Sequence, residues 1–241
     1  MTLSRRDFGR KVLAGVAAGA VVGSGACGSV DGDAVAGGAG GTGGSAGGPG
    51  DTGGLNECTL YPRQAEGPFY LDLDSLRQDI TEDKLGTALR LAVQVQDESC
   101  TRLKDLAVDV WHCDAGGVYS GFSDQVGGLD TTGMTFLRGT QVTDADGVAE
   151  FTTIYPGWYP GRTTHIHFKV HTSSTTEATS QIYFPEGVTS AIYGTSPYDA
   201  RGQKDTANDA DGIAAANPAP LAEVTGNASS GYVATIVVTV A

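Results

Sequence analysis

Apolar residues recur at every second position through much of this chain, and that period constrains its fold more than any other feature. Leu89, Leu91, Val93 and Val95 alternate with Arg90, Ala92 and Gln94, and in an extended chain residues i and i+2 share a face. Similar runs span Leu106–His112, Val148–Ile154, Thr164–His171, Ser180–Phe184 and Tyr232–Val240. Turn signals separate them, among them Asp144-Ala145-Asp146-Gly147. No long amphipathic helix is visible. Short half-buried strands must pack their apolar faces against one another, so the expected fold is all-β, a β-sandwich with irregular loops.

The first part of the chain reads differently. Ser4-Arg5-Arg6-Asp7-Phe8-Gly9-Arg10-Lys11, followed by the apolar run Val12–Val22, has the form of a twin-arginine signal peptide over residues 1–26. Eleven apolar residues are too few to span a bilayer, which needs about 20. Cys27 follows Ser24-Gly25-Ala26, a small-residue context that resembles a lipoprotein cleavage box, although Ser24 stands where Leu or Val is usual. Lipidation at Cys27 is therefore one expectation and cleavage elsewhere the other. Residues 27–56 form a Gly-rich segment in which Gly28–Gly54 holds 13 of the chain's 36 glycines. Such a stretch cannot bury a core and is expected to be a linker with an r.m.s. span of roughly 30 Å. Residues 57–241 then form one globular domain. The protein is expected to work outside the cytoplasm: in the periplasm, at the cell surface or beyond it.

The run Phe151–Val170 places Tyr159, Arg162, His165 and His167 within nine residues. His165 and His167 are two apart on a strand, so both imidazoles can turn to one ion. Tyr159 lies just upstream, across the turn-forming pair Pro160-Gly161. A phenol ionises only near pH 10, but a strongly charged cation can strip its proton. Imidazoles together with phenolate favour ferric iron over zinc. A plainer reading fits the same residues: His165, His167, Lys169 and His171 share one face while Ile166, Phe168 and Val170 share the other, as in a half-buried strand with a solvated polar face.

A second segment, AVDVWHCDAGGVYSGF from Ala107 to Phe122, resembles a tyrosine motif of the intradiol ring-cleavage dioxygenases, the family that includes protocatechuate and catechol dioxygenases. The resemblance extends in order to CTLYPRQAEGPFYLD (Cys58–Asp72), RGTQVTDADGVAEFTTIYPGWY (Arg138–Tyr159) and SQIYFPEG from Ser180. It implies a ferric ion, Fe(3+), held by Tyr119, Tyr159, His165 and His167, with Tyr119 and His165 equatorial and Tyr159 and His167 axial. It also implies that Tyr159 acts as a base, that Arg162 stabilises charge developing on the ring, and that Gln181 lines the substrate pocket. The implied activity is aromatic-compound catabolism: cleavage of a catechol between its two hydroxyl-bearing carbons by O2, giving a cis,cis-muconate. Five residues separate Tyr159 from His165, fewer than in the well-known cytoplasmic members. The compact form resembles a secreted branch of the family. Many catechol dioxygenases carry a helical dimerisation segment before the sandwich, and only signal and linker sequence stands there in this chain.

The remaining candidates resolve by context. His112 shares a face with Val108 and Val110 and is expected to be a hydrogen-bonded core residue, whereas His171 is expected to be solvated. Of Cys58, Cys100 and Cys113, an oxidising compartment should pair two, and Cys58 with Cys100 is the favoured pair because both lie at segment ends. The formal charge of −13 becomes −16 once the four basic residues and one acid of residues 1–26 are set aside. Such a chain repels nucleic acid and offers no long-range attraction to aromatic carboxylates, which slightly favours neutral catechols. Two rival readings stay open: a non-catalytic cell-surface binding module, and a copper or zinc enzyme using His165, His167 and His112.

Overall fold

The computed structural model of the protein describes residues 58–241; the signal, lipidation and linker readings fall on residues outside that range. Among the described residues, eight strands form two four-stranded sheets. They are β1 (Ala88–Gln96), β2 (Ala107–Trp111), β3 (Arg138–Val142), β4 (Val148–Ile154), β5 (His165–His171), β6 (Glu177–Tyr183), β7 (Glu223–Asn227) and β8 (Gly231–Thr239). One sheet has the order β4-β1-β8-β7 and the other β3-β2-β5-β6. Within the first, β1 pairs antiparallel with β4 and parallel with β8, while all pairings in the second are antiparallel. The expected β-sandwich is what forms.

The period-two pattern decides which side chains meet between the sheets. Leu89, Leu91, Val93 and Val95 from β1 and Phe151 from β4 face Val108, Val110, Ile166, Phe168 and Ile182 from the other sheet in one core. Each large side chain so buried contributes roughly 1.5–3 kcal/mol of transfer free energy. His112 belongs to this interior as expected. It is 1% exposed, with Nδ1 2.8 Å from the Cys113 carbonyl and Nε2 2.8 Å from Thr153 Oγ1.

The opposite face of the β3-β2-β5-β6 sheet is not solvated, which corrects the plainer expectation. His165 and His167 are at most 2% exposed and Lys169 is 5% exposed. His171, expected in water, is half-buried, with Nε2 2.9 Å from Asp109 and Nδ1 3.2 Å from Glu177. The cover comes from the segment preceding β1 and from loops that the strand period cannot register. Lys169 Nζ pairs with Glu66 at 2.6 Å, Gln181 Nε2 donates to the Ala65 carbonyl at 2.9 Å, and Tyr70 hydroxyl donates to Asp109 at 2.8 Å. Residues 75–80 strap the exposed edges of both sheets, pairing with Thr140 on β3 and Thr152 on β4. That strap needs Gly139, where an added Cβ would sit 2.6 Å from Ile80 Cγ2. Edges covered in this way offer no template for pairing with another chain.

One helix, α1 (Glu186–Tyr193), follows β6 and inserts Ile192 and Tyr193 into the core. Its two turns are too short to show a helical period in sequence. Cys58 and Cys100 form a disulfide across 42 residues, as favoured, and Cys113 is a buried free thiol.

Candidate metal centre

Strand register brings the expected residues together. Trp111 at the end of β2 lies opposite His167 on β5, and across β5 and β6 His167 faces Gln181 while His165 faces Tyr183. The two histidines thus stand beside each other at one end of the sheet, with Nε2 atoms 3.1 Å apart. Tyr119 arrives from the loop after β2, which turns on Asp114: its Oδ1 accepts from the amides of Gly116 and Val118 at 2.9 and 3.0 Å. Past that turn the backbone of Tyr119 is pinned at both ends, its amide to Gln125 Oε1 at 3.1 Å and its carbonyl to Thr131 Oγ1 at 2.7 Å. Tyr159 comes from the loop between β4 and β5.

The donor atoms converge on one point. Tyr159 Oη lies 3.2 Å and Tyr119 Oη 3.5 Å from Nε2 of His165. Nδ1 of His165 lies 2.6 Å from the Thr163 carbonyl, which can only accept, so Nδ1 carries the proton and Nε2 presents its lone pair to the site. Two phenol hydroxyls and the second imidazole therefore crowd around a single lone pair. One acceptor cannot satisfy three neighbours, whereas one cation can take a lone pair from all four groups. The residues present fit a metal ion of the kind two phenolates and two imidazoles select, ferric iron.

Burial dominates the electrostatics. It lowers the His165 pKa to about 3, with Arg162 adding to the effect, and places His167 well below the usual range with help from His165 and Arg162. Both rings are neutral, the form that ligates. Burial also raises both phenols, Tyr119 further because Tyr159 stands beside it; at Tyr159 the Arg162 charge pulls the other way. Only a bound cation would reverse that preference. The aromatic shell fixes the ligands: Trp111 stacks on His167 at 5.0 Å and Phe69 on Tyr119 at 4.4 Å. Gly67, at φ +75°, leaves room for the His167 ring, which an added Cβ would approach to 3.1 Å.

Arg162 sits at the rim with Nη1 3.4 Å from Tyr159 Oη, and Nη2 donates to Gln181 Oε1. Gln181 is itself held by Ala65, whose carbonyl accepts from Nε2 at 2.9 Å, and by Tyr183, whose hydroxyl lies 3.1 Å from Oε1. Sequence reasoning missed Asp211, which is wholly buried and accepts from Arg162 Nε at 2.8 Å. It lies in a turn-rich segment without periodicity, so nothing local marks it. Trp111, Phe69 and Arg138 fall within the motifs singled out above, but those motifs assign them no role. The copper or zinc arrangement does not assemble: among the described residues no three His, Cys, Asp or Glu side chains are placed to hold an ion, and both ring nitrogens of His112 are engaged elsewhere.

A family model described as Dioxygenase matches residues 62–192, more than half of the chain. A solved intradiol ring-cleavage dioxygenase from Tetranychus urticae is 30% identical with a TM-score of 0.70, over 76% of this chain and 94% of that one. The chain belongs to the intradiol ring-cleavage dioxygenase family. This intradiol family member is also similar to the dioxygenase domain of a carbohydrate-binding fusion protein from Streptomyces sp. SirexAA-E, at 31% identity, TM-score 0.55 and 76% and 98% coverage. Among curated relatives it is 29% identical to a chlorocatechol 1,2-dioxygenase of Cupriavidus pinatubonensis, over 51% of this chain and 54% of that protein. The intradiol family member thus spans about half the length of the curated relatives it matches.

Proposed function

We propose that this protein is a non-haem Fe(3+) dioxygenase that cleaves a catechol-type ring between its two hydroxyl-bearing carbons, incorporating both atoms of O2 to give a cis,cis-muconate. The observation that carries the proposal is the convergence of Tyr119, Tyr159, His165 and His167 on one buried point, with Arg162 beside it. A ferric ion bound there supplies Lewis acidity that activates a catecholate ring toward O2.

The chain's own residues divide the remaining work. Tyr119 is buried and pinned through its backbone, which suits a permanent ligand. Tyr159 is partly exposed, and its backbone is held by the turn its carbonyl makes with the Arg162 amide. It is the phenolate able to leave, and on leaving it takes one of the two catechol protons at Oη. Tyr119 and Tyr159 as phenolates would offset two of the three charges of a ferric ion held there, which would lessen the cost of keeping that charge in a dry site. Arg162 presents its guanidinium toward the position Tyr159 Oη vacates, where negative charge grows as the ring becomes electron-rich. Gln181 and Asp211 fix its orientation. The acidic surface favours a neutral catechol over a carboxylated one. Arg5-Arg6 and the apolar run behind them support action outside the cytoplasm.

Product analysis under labelled oxygen, across neutral and carboxylated catechols, tests the reaction. The expected result is a muconate carrying both labelled atoms, from an iron protein coloured by tyrosinate-to-iron charge transfer that Tyr119→Phe and Tyr159→Phe each alter. A semialdehyde as the main product, or a colourless active zinc protein, would overturn the assignment.

A further inference from the structure

Arg138 opens β3 and is 3% exposed. Its guanidinium donates to Ser120 Oγ and to the Ser120 carbonyl, both at 2.7 Å, and to the Phe69 carbonyl. All three acceptors are neutral. Among the described residues no carboxylate forms an ion pair with it. A buried cation normally has a counter-charge, because hydrogen bonds to neutral groups replace only part of its lost hydration. Arg162 shows the ordinary solution, with Asp211 at 2.8 Å.

The group that can supply the missing charge is Tyr119. The guanidinium carbon of Arg138 lies 5.9 Å from the centre of its ring, with the Phe122 ring at 5.5 Å on the same cation. With a neutral phenol the Arg138 charge stays stranded; with a phenolate it is matched. The same fork also holds the ligand in place, since Ser120 follows Tyr119 in the chain and Phe69 stacks on the Tyr119 ring.

We propose that Arg138 is a positioning residue that supplies the counter-charge of the Tyr119 phenolate when that oxygen ligates a metal, while its hydrogen bonds fix the Tyr119–Phe69 stack. The proposal rests on Tyr119 being a ligand, as put forward above. It accounts for the unequal standing of the two tyrosines. Tyr119 is matched to a buried cation with no carboxylate partner among the described residues, whereas Tyr159 faces an arginine whose charge Asp211 already neutralises, so Tyr159 is the one free to leave.

The test is the visible spectrum and reduction potential of the iron-loaded protein, with the Tyr119 band assigned by its loss in Tyr119→Phe. Arg138→Met should move that band to longer wavelength, because removing a nearby positive charge raises the phenolate donor level more than the metal acceptor level. It should also lower the reduction potential. Arg138→Lys should restore most of both, and Ser120→Ala, which removes one acceptor and no charge, should leave the band in place. A Tyr119 band unmoved in Arg138→Met, or moved as far in Ser120→Ala, overturns the counter-charge role. Should Arg138→Met not fold, Arg138→Lys decides alone: a band at the wild-type wavelength supports the proposal and a displaced band with iron still bound overturns it. A wild-type iron protein with no tyrosinate band would fail the ligand reading instead, and the proposal with it.

Discussion

Asp211 and Arg162, 49 residues apart in sequence, form an ion pair at 2.8 Å at the rim of the candidate metal centre. The aspartate is saturated. Its Oδ2 also accepts from the Thr163 amide at 2.8 Å, and its Oδ1 accepts from the amides of Ile213 and Ala214 at 2.8 and 3.0 Å. One side chain thereby joins Arg162, the turn leading into β5 and the loop after residue 200.

Asp211→Asn should cost about 2 kcal/mol of stability, since it leaves the half-buried Arg162 without its partner and turns an amide donor toward backbone N–H groups. Turnover should fall more than substrate affinity weakens, because the misaimed guanidinium is needed most in the transition state. Urea denaturation and a kcat-against-KM comparison check both. Burial alone would raise the Asp211 pKa, but hydrogen bonds from Ala214, Thr163, Arg162 and Ile213 outweigh it and hold the pKa below the usual value. Its stabilisation is therefore present above the unfolded carboxylate pKa of about 3.9 and is lost as pH falls through the lower folded value.

His112 should impose a second acid limit at higher pH. Burial lowers its pKa to about 4 from an ordinary 6.5, so the unfolded chain binds the proton more readily between those values. Stability should rise with pH across that window, and about 3 kcal/mol should disappear as pH drops from 7 to about 4. His112→Asn should be less stable at pH 7 and show a flatter dependence. Denaturation midpoints at several pH values for the two proteins measure the difference; parallel curves would count against it.

Reduction of the Cys58–Cys100 disulfide, which closes a 42-residue separation, should destabilise the domain by about 4 kcal/mol through the unfolded chain's regained freedom. Cys58→Ala/Cys100→Ala should show the same loss with or without reductant. Thermal unfolding in both conditions separates this from any effect on the buried thiol of Cys113.

We propose twin-arginine export from Arg5-Arg6. Replacing both by Lys should leave the precursor in the cytoplasm, as cell fractionation would show. Undiminished export in that variant would count against the route. An intact mass with a lipid-sized increment at Cys27 would establish the anchor, and a soluble product cleaved elsewhere would remove it.

The strand alternation by itself determined the sandwich, because burying one face of each extended run leaves few other solutions. It also put His165 and His167 side by side, since residues two apart on a strand must share a face. Tyr159 was legible from its place just upstream of the histidines, across Pro160-Gly161, whereas Tyr119 was legible only through a motif, as nothing in its local pattern points it at the histidines. What tertiary structure decided was the environment of the polar face. A period of two says that Lys169 and His171 point away from the sandwich core, but it cannot say whether water or another segment lies there. Residues 65–70 and the loops lie there, and by excluding water they keep the imidazoles neutral and make a cation necessary for the phenolates. Asp211 and the bare charge of Arg138 belong to the same class of fact. Each is defined by what lies across space from it, and contacts between residues tens of positions apart leave no period in the chain.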